Sequence, residues 1–333
     1  MYINDSKPAR PLRKHAKIGG FLFYGKKMQY LKPALTYSEQ ADLLLSRGLI
    51  AERTLLIERL SSVNYYRLSG YLHTFRKMAP NGQRLEEYYP GTSLDAVWRR
   101  YVFDRQLRLL VLDGIERVEI ALKTRLTHDF CHTHGAFGYL EPSNLPRLSS
   151  QRHSDFLKRV KDETERSRED FVIHFFNKYG DCHDYLPLWM AVEIMSYGSV
   201  LTLFHGMKEK ELKRVSAEFG LNLPLMDSWI STLNYIRNIC AHHGRLWNRE
   251  LGVKPKIPSI DKYPEWHIPV VTPPNRVFSV LTVLRSLLEN VAPQSKWQNR
   301  LERLLSEYTD IPLAFMGFPA DWRNHAVWNC HEK

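Results

Sequence analysis

The segment SLDAVWRRYVFDRQLRLLVLDGIERVEIALKTRLTHDF, which begins at Ser93, sets the tightest limit on how this chain can fold. Val97, Tyr101, Leu107, Val111, Gly114, Val118 and Leu122 recur roughly three or four residues apart with charges between them. That is the pattern of an α-helix with one apolar stripe. The helix predicted here exceeds thirty residues, well beyond an ordinary globular helix. A rod of that length must be covered by several neighbours, so it bridges or spans a bundle.

The rest of the chain supplies helices to cover it. Alternating β-branched runs are nearly absent, whereas helical periodicity recurs. TYSEQADLLLSRG offers Thr36 or Ser38 as a cap and Gly48 as a stop. AERTLLIERL and VNYYRLSGYLHTFR predict two more helices joined at Ser61-Ser62, followed by a loop through APNG and YYPGTS. A charged helix is expected over 151–178, and an almost uncharged one over 186–207 at the centre of the core. A helix from Met226, with Asp227 as its cap, carries the string MDSWISTLNYIRNICAHHGR. A Pro-rich connector leads to helices at 275–291 and 296–307, and the aromatic tail IPLAFMGFPADW suits a segment laid across the bundle. The fold class is all-α, with no glycine-rich phosphate loop of the dinucleotide or Walker type.

Charge is unevenly placed. The 333 residues carry a formal net charge of +11. Residues 1–35 hold Lys7, Arg10, Arg13, Lys14, Lys17, Lys26, Lys27 and Lys32 against one acid, Asp5. A basic arm of this kind tracks a phosphate backbone by releasing counterions, or serves as a solvated tail; the arm alone does not decide. Cys131, Cys182, Cys240 and Cys330 are far apart and form no C-x-x-C pair, which suits a reducing compartment rather than a disulfide framework. CHTH at 131–134 and CH at 182–183 match no familiar zinc spacing, so neither metal nor cofactor is expected. No run of eighteen apolar residues occurs, and the expectation is a soluble cytoplasmic protein with no membrane partner.

The stretch YIRNICAHHGRLWNR, 235–249, concentrates the chemistry. At about 100° per residue, Trp229, Leu233, Ile236 and Cys240 share an inward face. Asn234, Asn238, Ala241, His242 and Arg245 lie outward, with Arg237 at the edge. His243 flanks the buried stripe and is expected to be packed. Solvated Arg and His on a helix face are the plain reading. The functional reading is that Arg supplies a permanent charge and a planar fork for phosphate, while His moves a proton near neutrality. Asn can hold an imidazole or a phosphate oxygen. Such a set needs no metal to cleave RNA, whose 2′-hydroxyl is its own nucleophile.

Arg237, a polar residue at 238 and His242 resemble the Arg-then-His signature of the HEPN ribonuclease superfamily. The fuller string RNICAHHGRLWNR is similar to that of the Abi-like abortive-infection family (AbiD/AbiF type) of bacterial phage-defence proteins. SVNYYRLSGYLHTFR, FDRQLRLLVLDGIERVEIALKTRL, PLWMAVEIMSYGS and MGFPADW resemble further blocks of that family in the same order. The resemblance runs from about residue 32 to 328. It implies a HEPN-type helical bundle with additional N- and C-terminal helices. On that basis residues 1–31 form a basic arm, 32–92 an N-terminal helical region, 93–250 the HEPN-like core, and 251–333 the connector and C-terminal helices.

The resemblance also implies a metal-independent endoribonuclease working as a homodimer, with Arg237, Asn238 and His242 catalytic. His243, Glu116 and Glu119 are supporting candidates. Arg245, Asn248, Arg249, Tyr65 and Arg67 are candidates for RNA binding. Trp247 reads as a helix-end anchor or a base-stacking ring, with the anchor preferred, and Tyr66 with Gly70 as close packing. RNA is the expected substrate and a cognate small RNA a candidate partner. The competing reading is a non-catalytic RNA-binding or sensor protein of a defence or toxin–antitoxin system. A helix-turn-helix DNA regulator on residues 36–76 would account for the arm but not for the second half.

Overall fold

A computed structural model describes residues 31–329. The basic arm, 1–31, therefore lies outside the described residues apart from Leu31. Twelve α-helices and one two-stranded sheet make up the described chain, in accord with the all-α expectation. The long segment forms α4, Leu94–His134, 41 residues capped by Ser93, whose hydroxyl accepts from Ala96 N–H. Its stripe is fully covered: Val97, Leu107, Val111, Val118 and Leu122 are buried. Gly114 is required by a close approach, since a Cβ there would lie 2.9 Å from Trp297 Nε1, which donates to the Leu110 carbonyl.

Before α4 come α1 (Tyr37–Ser46), α2 (Arg53–Ser62) and α3 (Tyr65–Leu72). Thr36 and Glu39 close a reciprocal capping box on α1, and Gly48 comes after it at φ +93°, as the stop signals predict. The break between α2 and α3 falls at Val63-Asn64, where Asn64 caps α3. The expected loop contains a hairpin, β1 (Arg76–Met78) with β2 (Arg84–Tyr88), closed by the APNG turn. These strands are too short and polar to show an alternating pattern.

After α4, the segment expected as one charged helix is two, α5 (Ser150–Arg166) and α6 (Asp170–Tyr179). Ser167 breaks it, its hydroxyl taking the Glu169 N–H in competition with the helix. The apolar segment is likewise α7 (Leu188–Ile194) and α8 (Tyr197–Gly206), separated where Ser196 caps α8. α9 (Glu209–Glu218) is an additional helix; its charges hide a narrow stripe of Leu212 and Val215. α10 (Leu223–Ala241) begins at an Asn222 cap with Pro224 in its first turn, three residues before the predicted start. Asp227, the predicted cap, instead pairs with His205 at 2.6 Å.

α11 (Val277–Val291) and α12 (Trp297–Glu307) match their expected spans. Seven helices, α3, α7, α8, α9, α10, α11 and α12, pack on α4, so it is the shared strut of the bundle. The tail crosses α11 as a strap: Met316, Phe318, Trp322, His325, Val327 and Trp328 are buried there. No helix among the described residues is long and apolar enough to cross a membrane.

Candidate functional site

The inward stripe of α10 is as the wheel predicts: Trp229, Leu233, Ile236 and Cys240 are buried. Burial pushes the Cys240 thiol up to about 12, so it packs and does not react at neutral pH. Arg237 is half-buried and Asn238 exposed. The helix stops at Ala241, earlier than the wheel assumes. His242 is the C-cap and His243 turns left-handed at φ +57°. Gly244 N–H then donates to Ile239 O at 2.7 Å and His243 N–H to Cys240 O at 3.0 Å, the paired bonds of a Schellman ending.

Glycine ordinarily fills the left-handed position; a β-carbon there costs roughly 1–2 kcal/mol. Here a histidine fills it, and Gly244 sits one place later, where a Cβ would meet Ile239 O at 3.1 Å. Two expectations change as a result. His243 is exposed rather than packed. Arg245 leaves the outward face shared with Asn238 and His242, and its half-buried guanidinium donates to Gly70 O on α3.

The loop after the turn hangs on one buried carboxylate. Asp104 on α4 is fully buried and accepts from Leu246 N–H (3.1 Å), Trp247 N–H (2.6 Å) and Tyr71 Oη–H (2.6 Å). It also pairs with Arg108 one turn along α4. Burial pushes the carboxyl up, against the pull of Arg108, Tyr71 and the two amides. Burial, the largest single influence, would lower Arg108, yet Asp104 and Tyr71 together outweigh it and hold the guanidinium above its ordinary value. A neutral Asp104 would leave that guanidinium uncompensated, so the pair is ionic. Trp247 is fully buried with its ring edge-on to Phe315, the anchor role preferred for it.

Other predicted RNA contacts have partners inside the chain. Asn248, at φ +53°, accepts from Arg276 Nη1 at 3.3 Å, and Arg249 Nε donates to Arg245 O at 2.7 Å. Arg67 Nη1 donates to His243 O. Tyr65 Oη accepts from Arg47 at 2.8 Å. Tyr66 is 73% exposed rather than packed, while Gly70 does lie close, against Arg245. Glu116 is exposed and Glu119 pairs with Lys123 at 3.4 Å. Twelve residues along α4 from Asp104, Glu116 is about 18 Å up the helix axis. No ion pair or hydrogen bond among the described residues joins either glutamate to Arg237 or His242.

Against this network, the side chains of Arg237, Asn238 and His242 take no hydrogen bond, ion pair or ring contact among the described residues. The chain around them is basic in sequence. No acidic residue occurs between Glu58 and Glu86, nor between Asp227 and Glu250, the two stretches that meet at the loop. His73, at the end of α3, has its pKa lowered by burial and then by Arg84, Arg245 and Arg76. Sequence reasoning misses the Asp104–Arg108–Tyr71 node. Its one signal is an Asp and Arg four apart within an otherwise apolar stripe.

The histidines of CHTH and of CH at 182–183 have separate partners: His134 pairs with Glu211 at 2.9 Å, and His183 stacks on Phe137. Among the described residues no three His, Cys, Asp or Glu side chains form a metal-holding group.

Fold and site together define an all-α protein that presents, from a pinned helix end, an Arg/Asn/His set without bonded partners among the described residues. The family model described as Abi-like protein matches residues 58–248, a span that includes α3, Asp104, Arg108 and the motif through Asn248. The chain belongs to that family. No curated protein and no solved structure matches it.

Proposed function

We propose that the protein is an abortive-infection effector that cleaves RNA as a metal-independent endoribonuclease of the HEPN type. Membership of the Abi-like family supports the phage-defence role. The observation that carries the chemistry is the division of labour at the helix end. Asp104, Arg67, Arg245 and Arg249 are engaged with the chain itself, while the side chains of Arg237, Asn238 and His242 have no bonded partner among the described residues. Side chains held at the end of a rigid helix, with no partner among the described residues, are suited to an outside one.

Five residues of helix separate Arg237 and His242 by about 140° in direction. One copy of the motif therefore directs its cation and its imidazole differently, which favours two copies meeting around one phosphodiester. In that homodimer one His242 takes the 2′-hydroxyl proton as the 2′-oxygen attacks phosphorus. The P–O5′ bond breaks, and the second His242 protonates the leaving oxygen. Arg237 offsets the charge gathering on the phosphorane, and Asn238 orients phosphate or imidazole. The products are a 2′,3′-cyclic phosphate and a 5′-hydroxyl.

The test is incubation of the purified chain with RNA in EDTA, with mapping of the new ends. His242→Ala is expected to lower cleavage by about 10²–10⁴-fold, the usual worth of a general acid–base, without loss of fold. RNA binding retained with no cleavage by the parent protein would favour the non-catalytic sensor.

A further inference from the structure

We propose that Arg67 and the left-handed His243 are a positioning pair that aims His242, and that Arg67 is not a phosphate contact. The proposal rests on the ribonuclease reading above. Arg67 is exposed on the first turn of α3, yet its Nη1 donates to the His243 carbonyl. The same residue's N–H is committed to Cys240 O, so His243 is held by its backbone from both sides. Arg245 completes an exchange of donors by reaching from the loop to Gly70 O on α3. α3 is itself fixed by buried Leu68, Tyr71 and Leu72 and by the Tyr71–Asp104 bond.

The need for a clamp comes from the backbone. A β-carbon at φ +57° costs more than a glycine there, a cost that the turn's own two hydrogen bonds and the Arg67 contact offset together. His242 has no side-chain bond among the described residues, and the turn immediately after it sets where its imidazole lies. With Arg67 removed, residues 242–244 are free to leave the left-handed turn, shifting the imidazole from the direction in which it is presented to the shared phosphodiester. A glycine at 243 adopts the left-handed region freely and has no need of the clamp.

The experiment compares the parent protein with Arg67→Ala, Arg67→Lys and the double variant Arg67→Ala/His243→Gly. Cleavage of a labelled RNA oligonucleotide, affinity for its 2′-O-methyl form across salt, and hydrogen exchange at the Gly244 and Leu246 amides are measured. Arg67→Ala is expected to lower kcat about 10-fold or more (about 1.4 kcal/mol), with affinity little changed and Gly244 exchange faster. Arg67→Lys restores part of the rate. The double variant recovers exchange protection and most of kcat. A weakened affinity with a salt slope reduced by about one, and unchanged kcat and exchange, would make Arg67 a phosphate contact and overturn the proposal. So would a double variant no better than Arg67→Ala. If the parent protein cleaves no RNA, the ribonuclease reading fails, while the exchange data still decide whether the clamp exists.

Discussion

The helix-end loop and the C-terminal strap are both short, aromatic and rich in polar side chains, but they treat their histidines in opposite ways. In the strap, His325 is fully buried and both ring nitrogens are occupied. Nε2 meets Thr272 Oγ1 at 2.7 Å, and Nδ1 accepts from Val327 N–H at 3.2 Å. Trp328 donates to Thr282 at 3.1 Å, and Trp322 stands edge-on to Phe318 and Trp328. At the helix end, buried partners satisfy the backbone of Leu246 and Trp247, while His242 and Arg237 are spared. Residue type does not separate the two regions. Whether each polar atom already has a partner does.

The sharpest way to break the comparison is Asp104→Ala. Removing the carboxylate orphans Arg108 and two amides, and the expected loss is about 3–5 kcal/mol in chemical denaturation. A loss near zero would mean that the helix-end loop needs no internal hub and resembles the strap less than its bonds indicate.

The strap yields the next largest effect. Burial, helped by repulsion from His267, lowers His325 from 6.5 to about 4. Between those values the unfolded chain binds a proton that the folded chain refuses, so stability falls as pH drops from about 6.5 to 4. Its full size is up to about 3 kcal/mol, at roughly 1.4 kcal/mol per pH unit. Denaturation midpoints taken across that range should show the decline, and His325→Asn should flatten it. An equal decline in that variant would remove His325 as the cause.

The smallest effect tests the far part of α4. Glu119→Gln breaks a pair with Lys123 and should cost about 1 kcal/mol or less, with RNA cleavage unchanged. A marked fall in cleavage would restore Glu119 as an orienting partner of the motif.

Much of the frame is legible in the sequence. The α4 stripe with its Ser93 cap, the buried face of α10 and the crossing tail all come from local periodicity and capping. The breaks at Ser167 and Ser196 are hidden, because helical periodicity continues through both. At the site, Asn238 and His242 are exposed on the outward face and Arg237 is half-buried at its edge, where the wheel puts them. The residues beyond Ala241 do not, because the wheel carries the helix on to Gly244 and Arg245. A histidine takes the left-handed place instead, so every residue past it points elsewhere. Asp104 and Arg67 are beyond any local pattern, since their partners lie 142 and 176 residues away in the chain.

That distance has a consequence for synthesis. Trp297, which closes over Gly114, is 187 residues downstream of the Leu110 carbonyl it bonds. At roughly 5–20 residues per second on a ribosome, the central strut waits about 10–40 s for this cover. During that interval its apolar stripe is open to chaperones, and residues 246 and 247 must emerge before Asp104 can receive their amides. A nascent copy that has not yet exposed residue 247 therefore carries an unassembled helix end, with Asp104 still waiting for the two amides that pin it.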